Sequence, residues 1–510
     1  MEGHALSRVS VSREENTGLL GRPTSPTSDP ERDSGILEMG RQQLPIETVR
    51  HTRWRAVAAR FLWFCVPSFL QGRHMREQIC PAKLSPTAYL DGMRGLAALF
   101  VYFCHSSSQA FIMNKSWGYQ GTLYGFFRLP IVRVFYCGPA AVSIFFIISG
   151  YALSYKPIRL IRNRKTHDFS ITLSSMTFRR AIRLFLPTTI STFIMICLIW
   201  IGAFESTREI TKNRAYFKYV IEHIPSRPDS IFKLLSDWGK HIFYAFKLFD
   251  FMDRGALTNY DVHLWTIPVE YRCSIYLFVI LFGTARLQTK YRFLTLLFIM
   301  TRTYQNSRWD LLMFIFGMMF AEWDHIRGAH TTSPTLPFDK QAKSSQERLK
   351  PIIWNLISIV GLYFLTQPDT GGEETPGCVY LTSLIPEWWA TSRYRYWQCI
   401  GSVIYVFSVG YSAFWQRFFN TAPIQYLGKI SYSLYLVHGP VMRTLGYHLH
   451  TLAWDITGTQ GLWYNAGFVL GVCLSLSFII VFADIFWRAI DIPTVKFARW
   501  LEGKVNVKED

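Results

Sequence analysis

The stretch Tyr89-Leu-Asp-Gly-Met-Arg-Gly-Leu-Ala-Ala-Leu-Phe-Val-Tyr-Phe-Cys-His105 decides how the whole chain is read. On a helix, the steps of about 100° from Arg94 to His105 return to nearly the same face, with roughly 16 Å of rise between the two side chains. Both would line one wall of one cavity. The residues between them are small or apolar, so the segment also fits a membrane span. It would carry a guanidinium near one water interface and a titratable imidazole near the other.

The rest of the chain repeats this apolar character. Half of the 510 residues are hydrophobic and 16% are aromatic, gathered into runs of about 17 to 23 residues, the length that crosses a bilayer. The fold predicted is all-α, a polytopic membrane bundle of about ten transmembrane helices. The candidate spans are 88–105, 135–155, 184–203, 264–283, 290–303, 309–323, 352–366, 399–416, 424–445 and 463–487. The short pair over 290–323 is interrupted by Arg302 and Arg308.

A net charge of +19 would ordinarily suggest a nucleic-acid partner. Here the basic residues fall in loops between apolar runs, where the positive-inside bias accounts for them and no nucleic acid is implied. The loop 156–183 carries Lys156, Arg159, Arg162, Arg164, Lys165, Arg179, Arg180 and Arg183 against the single acid Asp168. It is predicted to be cytosolic, and both termini with it.

Residues 1–55, rich in Ser, Pro, Arg and Glu and without a signal-peptide pattern, read as a disordered cytosolic tail. Residues 56–86, broken by Arg60 and Pro67, read as an interfacial helix and linker. Residues 87–487 form the transmembrane domain and 488–510 a basic cytosolic tail. Within the long loop 204–261, residues 231–247 have the spacing of an amphipathic surface helix. The nine cysteines show no CxxC or metal-ligand spacing, so no metal site is predicted. Cys378 is within reach of Cys399 for an exoplasmic disulfide.

Several polar residues stand inside the apolar runs. His263 and Glu270 share a helical face, and the topology puts both, with His105 and His438, in the exoplasmic half. Arg94 and Lys429 stay near the cytosolic end. Cations at one mouth suit a phosphorylated donor, while a histidine with a carboxylate at the other suits removal of a proton from an attacking hydroxyl. The implied conversion is acyl transfer from a thioester to an alcohol.

Simpler roles compete with these. Asp91 and Arg94 make an ordinary ion pair on a helix, and His105, His263 and His438 could merely bond at an interface. Lys429 could snorkel. Glu270 could pair structurally with Arg272 or His263. Ser149, kept among the substrate-contact candidates, stands beside Gly150 in a pair suited to close helix packing.

Four stretches together resemble the membrane acyltransferase-3 family. They are Asp91-Gly-Met-Arg-Gly-Leu-Ala-Ala98 with its Arg94 and His105, Phe145-Phe-Ile-Ile-Ser-Gly-Tyr151, Leu264-Trp-Thr-Ile-Pro-Val-Glu270, and Leu427-Gly-Lys-Ile-Ser-Tyr-Ser-Leu-Tyr-Leu-Val-His438. The wording around Trp265 is similar to fungal members. The resemblance implies an O-acyltransferase using acyl-CoA, with acetyl-CoA the first expectation, as donor co-substrate, with no bound cofactor and a hydroxyl on a carbohydrate, lipid or small natural product as acceptor. It implies that Arg94 helps to hold the donor's phosphates and that His105 is the base, with Glu270 and His438 at positions considered functional.

Tyr271 stands where many bacterial relatives have a second acid. The esterase-like domain of some relatives is absent, so transfer is direct or completed by a separate esterase-like partner. The competing class is a permease, which also places charges inside a membrane bundle.

Overall fold

A computed structural model describes residues 59–60, 62–72, 84–245, 260–329 and 345–506 of the protein. Every regular element among them is helical, as the apolar runs predict. The longer helices are α1 (Ala88–Ser108), α2 (Gly138–Arg162), α3 (Thr166–Trp200), α4 (Ile231–Ala245), α5 (Thr266–Thr284), α6 (Thr289–Gln305) and α7 (Trp309–Ile326). They continue with α8 (Ser345–Leu365), α9 (Arg395–Val409), α10 (Ala422–Val441), α11 (Tyr447–Thr457), α12 (Gly461–Phe486) and α13 (Ile492–Val505). Four stretches among the described residues are long and apolar enough to cross a bilayer: Gly138–Arg162, Thr166–Trp200, Val262–Thr284 and Gly461–Val505. The tail assigned to 1–55 lies outside the described residues.

Part of the linker before α1 is packed into the bundle. Ser68 is buried, and its backbone N–H donates to Asp484 Oδ2 at 3.0 Å while its hydroxyl bonds the other carboxylate oxygen. Tyr426 and Arg488 complete the shell of that buried acid.

The basic stretch expected as a loop is mostly helix. α2 runs on to Arg162 and α3 starts at Thr166, so Arg179, Arg180 and Arg183 are presented from a rigid rod. From Thr166 to Arg183 there is neither Gly nor Pro to stop the helix, and tertiary ion pairs hold two of the three, Arg179 to Glu502 at 3.1 Å and Arg180 to Glu270 at 2.6 Å. The short pair over 290–323 becomes α6 and α7. Buried Glu322 on α7 accepts from Arg292 on α6 at 2.7 Å and from Arg162 on α2 at 3.1 Å. Removing either cation would leave that carboxylate under-compensated in the interior. Cys378 and Cys399 are both free thiols. Cys399 on α9 turns to Ser143 on α2, 3.7 Å away, so the anticipated disulfide is not formed.

The most extensive helix contacts are α2 with α7, α1 with α10 and α8 with α9. At all three crossings glycine lets backbone meet backbone, Gly401 on α9 against Leu365 and Gly361 of α8 among them. A Cβ on Gly150 would strike the carbonyl of Phe314, and one on Gly317 the carbonyl of Ile147. Between α1 and α10, a Cβ on Gly95 would strike Leu427 and Gly428, and one on Gly428 would lie 2.6 Å from the Asp91 carbonyl. This second contact locks α1 and α10 side by side in parallel. Arg94 thereby falls beside Ser431, and His105 beside His438.

Candidate active site

The register of α1 against α10 places two groups of charged side chains at opposite ends of the helix pair. At the imidazole end, His105, His263 and His438 meet. Ring centroids lie 4.0 Å apart for His105 and His263, 4.3 Å for His263 and His438, and 5.8 Å for His105 and His438. His263 stands in the 3₁₀ turn Val262–Trp265 that leads into α5, capped by the extended residue Asp261. The Asp261 carboxylate accepts from the His263 backbone N–H at 3.2 Å and also bonds ring atom Nδ1. Gly439 makes room for this pair, because a Cβ there would come within 2.6 Å of His263 Nδ1.

Two further residues complete the cluster. Directly after α10 the chain forms a π-helical turn, Met442–Gly446, of the kind that often marks functional sites. It carries Arg443, which is buried and lies 3.1 Å from Asp261 Oδ1. From the segment between α3 and α4 comes Glu222, whose Oε1 lies 2.7 Å from His105 Nδ1 and 3.1 Å from His263 Nε2.

Burial opposes the ionisation of Glu222, but the imidazoles of His263 and His105 overcome it and hold the carboxyl well below the usual range. Asp261 behaves likewise: His263 and Arg443 outweigh its desolvation and keep it ionised. Two carboxylates thus face one guanidinium and an imidazole bonded on both nitrogens. The charges balance if His263 carries the second positive charge.

These partners also settle which nitrogen of each ring is available. His105 Nδ1 is committed to Glu222, so Nε2 is the atom that can take a proton. His438 donates from Nδ1 to the Tyr435 carbonyl at 2.7 Å, and its buried Nε2 has no hydrogen-bond partner among the described residues. One nitrogen from each of the three rings lies within 4.8 Å of the others, a constellation that could also ligate a metal ion.

At the guanidinium end, Arg94 donates from Nε to Ser431 Oγ at 3.0 Å and from a terminal nitrogen to the Gly428 carbonyl at 3.3 Å. Its ion pair with Asp91, at 3.4 Å, is exposed. Arg180 holds Glu270 at 2.6 Å and donates to Ser274 Oγ at 2.9 Å. Ser149 donates to the same Glu270 oxygen at 3.0 Å. Arg183 is near enough to Arg180, Asp491, Arg179 and Arg94 to feel their charges. Asp491 closes a second π-helical turn, Trp487–Asp491. Lys429 is exposed on α10, next to Gly428. Between the two ends, the Tyr435 hydroxyl bonds Thr266 Oγ1 at 2.6 Å and the His263 carbonyl.

The family model described as an acyltransferase domain matches residues 87–484. The chain belongs to the acyltransferase-3 family. This acyltransferase is 31% identical over 459 residues to "O-acetyltransferase PaAT-1" of Phomopsis amygdali, covering 85% of this chain and 87% of the relative. It is 24% identical to "Acyltransferase R4" of Phoma sp., covering 84% of this chain and 98% of that one. It is also 24% identical to "Acyltransferase clz18" of Cochliobolus lunatus, covering 83% and 97% respectively. No solved structure matches it.

Of the residues singled out in the sequence of this acyltransferase, the three histidines converge. Glu270 does not join them: it bonds Arg180 and Ser149, and the carboxylate that meets His105 is Glu222. Sequence reasoning passed over Glu222, Asp261, Arg443, Arg180 and Arg183. Asp261 had a readable signal, since an Asp two residues before His263 at the start of a helix is a natural cap. Glu222 had none.

Proposed function

We propose that the protein is an integral-membrane O-acyltransferase that moves an acyl group, acetyl in the first instance, from acyl-CoA to an acceptor hydroxyl. The donor's phosphates would be gripped at the guanidinium end by Arg94 and Arg183, with Arg180 held in place by Glu270. Lys429 and Ser149 are the remaining candidates for donor contacts. Under the positive-inside bias that end faces the cytosol, where acyl-CoA resides, in a bundle of about ten spans with both termini cytosolic.

The acceptor hydroxyl would lie against His105 Nε2. The ring takes the hydroxyl proton as the oxygen attacks the thioester carbonyl, the C–S bond breaks, and the imidazolium returns the proton to the departing thiolate. Glu222 would hold the tautomer and stabilise the transient imidazolium, the part played by the aspartate in hydrolase triads. His438, whose Nε2 faces no partner, is placed to orient the acceptor, and His263 to anchor Glu222. Transfer is direct in this scheme and needs no esterase-like partner.

The observation that carries this reading is the His105–Glu222 bond, which commits one ring nitrogen and leaves the other for the acceptor. The name of the Phomopsis relative favours acetyl. The test is detergent-purified full chain given labelled acetyl-CoA and fractionated acceptor extracts, beside His105→Ala. Label should pass to an ester-linked product with wild type only. Transfer that is undiminished in His105→Ala, or movement of an intact solute across vesicles without acylation, would overturn it.

A further inference from the structure

The three imidazoles have a property beyond proton transfer. In proteins that bind Zn2+ through histidine, each ligating ring characteristically donates its other N–H to a carboxylate or a backbone carbonyl, which fixes the tautomer and aims the lone pair. All three rings here have that outer support already. His105 Nδ1 meets the Glu222 carboxylate, His263 Nδ1 the Asp261 carboxylate, and His438 Nδ1 the Tyr435 carbonyl. Nε2 of His438 is fully buried and has no hydrogen-bond partner among the described residues. Ring nitrogens, one from each histidine, are at most 4.8 Å apart, and the second Glu222 oxygen, Oε2, is buried without a hydrogen-bond partner among the described residues.

We propose that this cluster is a binding site for a borderline divalent cation of the Zn2+ type, and that its occupation switches acyl transfer off. The ligands are one nitrogen each from His105, His263 and His438, with a solvent water in the fourth position and Glu222 kept on His105 Nδ1 as outer support. Imidazole nitrogens select cations of the Zn2+ type over Mg2+ or Ca2+, which prefer oxygen. Zn–N bonds of about 2.0–2.1 Å put tetrahedral ligands ~3.3 Å apart, so nitrogens now up to 4.8 Å apart must draw together by up to about 1.5 Å. The cation replaces the proton that His263 Nε2 shares with Glu222 Oε1 at 3.1 Å, and that proton leaves to solvent. With His105 Nε2 bonded to metal, no lone pair remains to accept the acceptor's proton. That inhibitory half rests on the function proposed above, whereas the binding half does not.

The experiment is titration of the EDTA-treated full chain in detergent with ZnCl2, followed by calorimetry and by metal content after desalting, with MgCl2 as control. Wild type should take up one Zn2+ per chain and no Mg2+. His438→Ala and His105→Ala should each weaken uptake by about 100-fold or more, with the monodisperse peak on size exclusion retained by at least one of them. Absence of Zn2+ uptake by wild type, or uptake that survives both substitutions, overturns the site. In parallel, acetyl transfer should fall in step with occupancy and return on adding EDTA; transfer that is unchanged or raised by bound Zn2+ overturns the switch. Were no acyl transfer found under any condition, the proposed function would fail while the titration still decided the metal site.

Discussion

The two charged ends of the α1–α10 pair are built on different plans. At the imidazole end most of the ionic groups are sealed in: Asp261 and Arg443 are each 1% exposed at the side chain, Glu222 7% and His263 not at all, while the His105 ring is partly open at 30%. Positive and negative groups are matched there and every ring is held by an acceptor. At the guanidinium end cations gather more openly. The Arg94 side chain is 39% exposed, and Arg183 lies on the surface in the field of three other arginines. A sealed, neutralised cluster suits a proton whose position must be fixed. An open cluster of guanidinium groups, each facing a single exchangeable acid, suits a polyanion that arrives from solvent and leaves again.

The contrast predicts that substitutions at the imidazole end act mainly on the chemical step and those at the other end on donor affinity. The largest effect should come from His105→Ala, with kcat for acetyl transfer down by about 10³-fold, in the range expected for a lost general base, and KM for acetyl-CoA little changed. A KM change of the same size would erase the distinction between the ends. Glu222→Gln should lower kcat by about 10²-fold, again with KM nearly constant, and Glu222→Asp should restore part of the loss. Equal damage from both variants would mean that the carboxylate only holds the fold.

At the guanidinium end, Arg94→Ala should raise KM for acetyl-CoA by about 10-fold, the worth of one charge-assisted hydrogen bond, with a smaller change in kcat. Donor binding should also weaken as salt rises. A salt-independent KM would remove phosphate binding from that end.

The smallest effect concerns stability and pH. The Glu222 carboxyl is depressed below its ordinary 4.5, so its contribution is present above that value and is lost as pH falls through the lower folded value. Thermal unfolding should therefore show wild type ahead of Glu222→Gln from neutrality to about pH 5, the lead shrinking in more acid solution. A lead that grows with acid would contradict the sign.

Much of this was legible in the linear sequence because bilayer length and helical period are local properties. The run from Tyr89 to His105 is α1 within a few residues, and the shared face of Arg94 and His105 survives as two ends of one pair. What was hidden depends on tertiary route. Glu222 reaches His105 from a segment with no motif, because the path between α3 and α4 folds back over the end of α1. Arg443 reaches Asp261 because α10 continues into a π-helical turn, and one extra residue per turn rotates every later side chain. Arg180 was assigned to a loop because charge was taken as a boundary. The helix continues, and Glu270, expected beside a histidine, is met by that arginine instead.

The glycine contact between α1 and α10 has one last consequence. With backbone lying on backbone at Gly95 and Gly428, those two rods cannot slide past one another, and the interval from Arg94 to His105 becomes a yardstick of constant length. A donor with a longer acyl tail gains nothing from stretching it. Under the proposed function, selection for acyl length would then act sideways, and Phe145→Ala, in the aromatic pair with Tyr435 whose ring centroids lie 6.3 Å apart across α2 and α10, should change which thioesters are accepted.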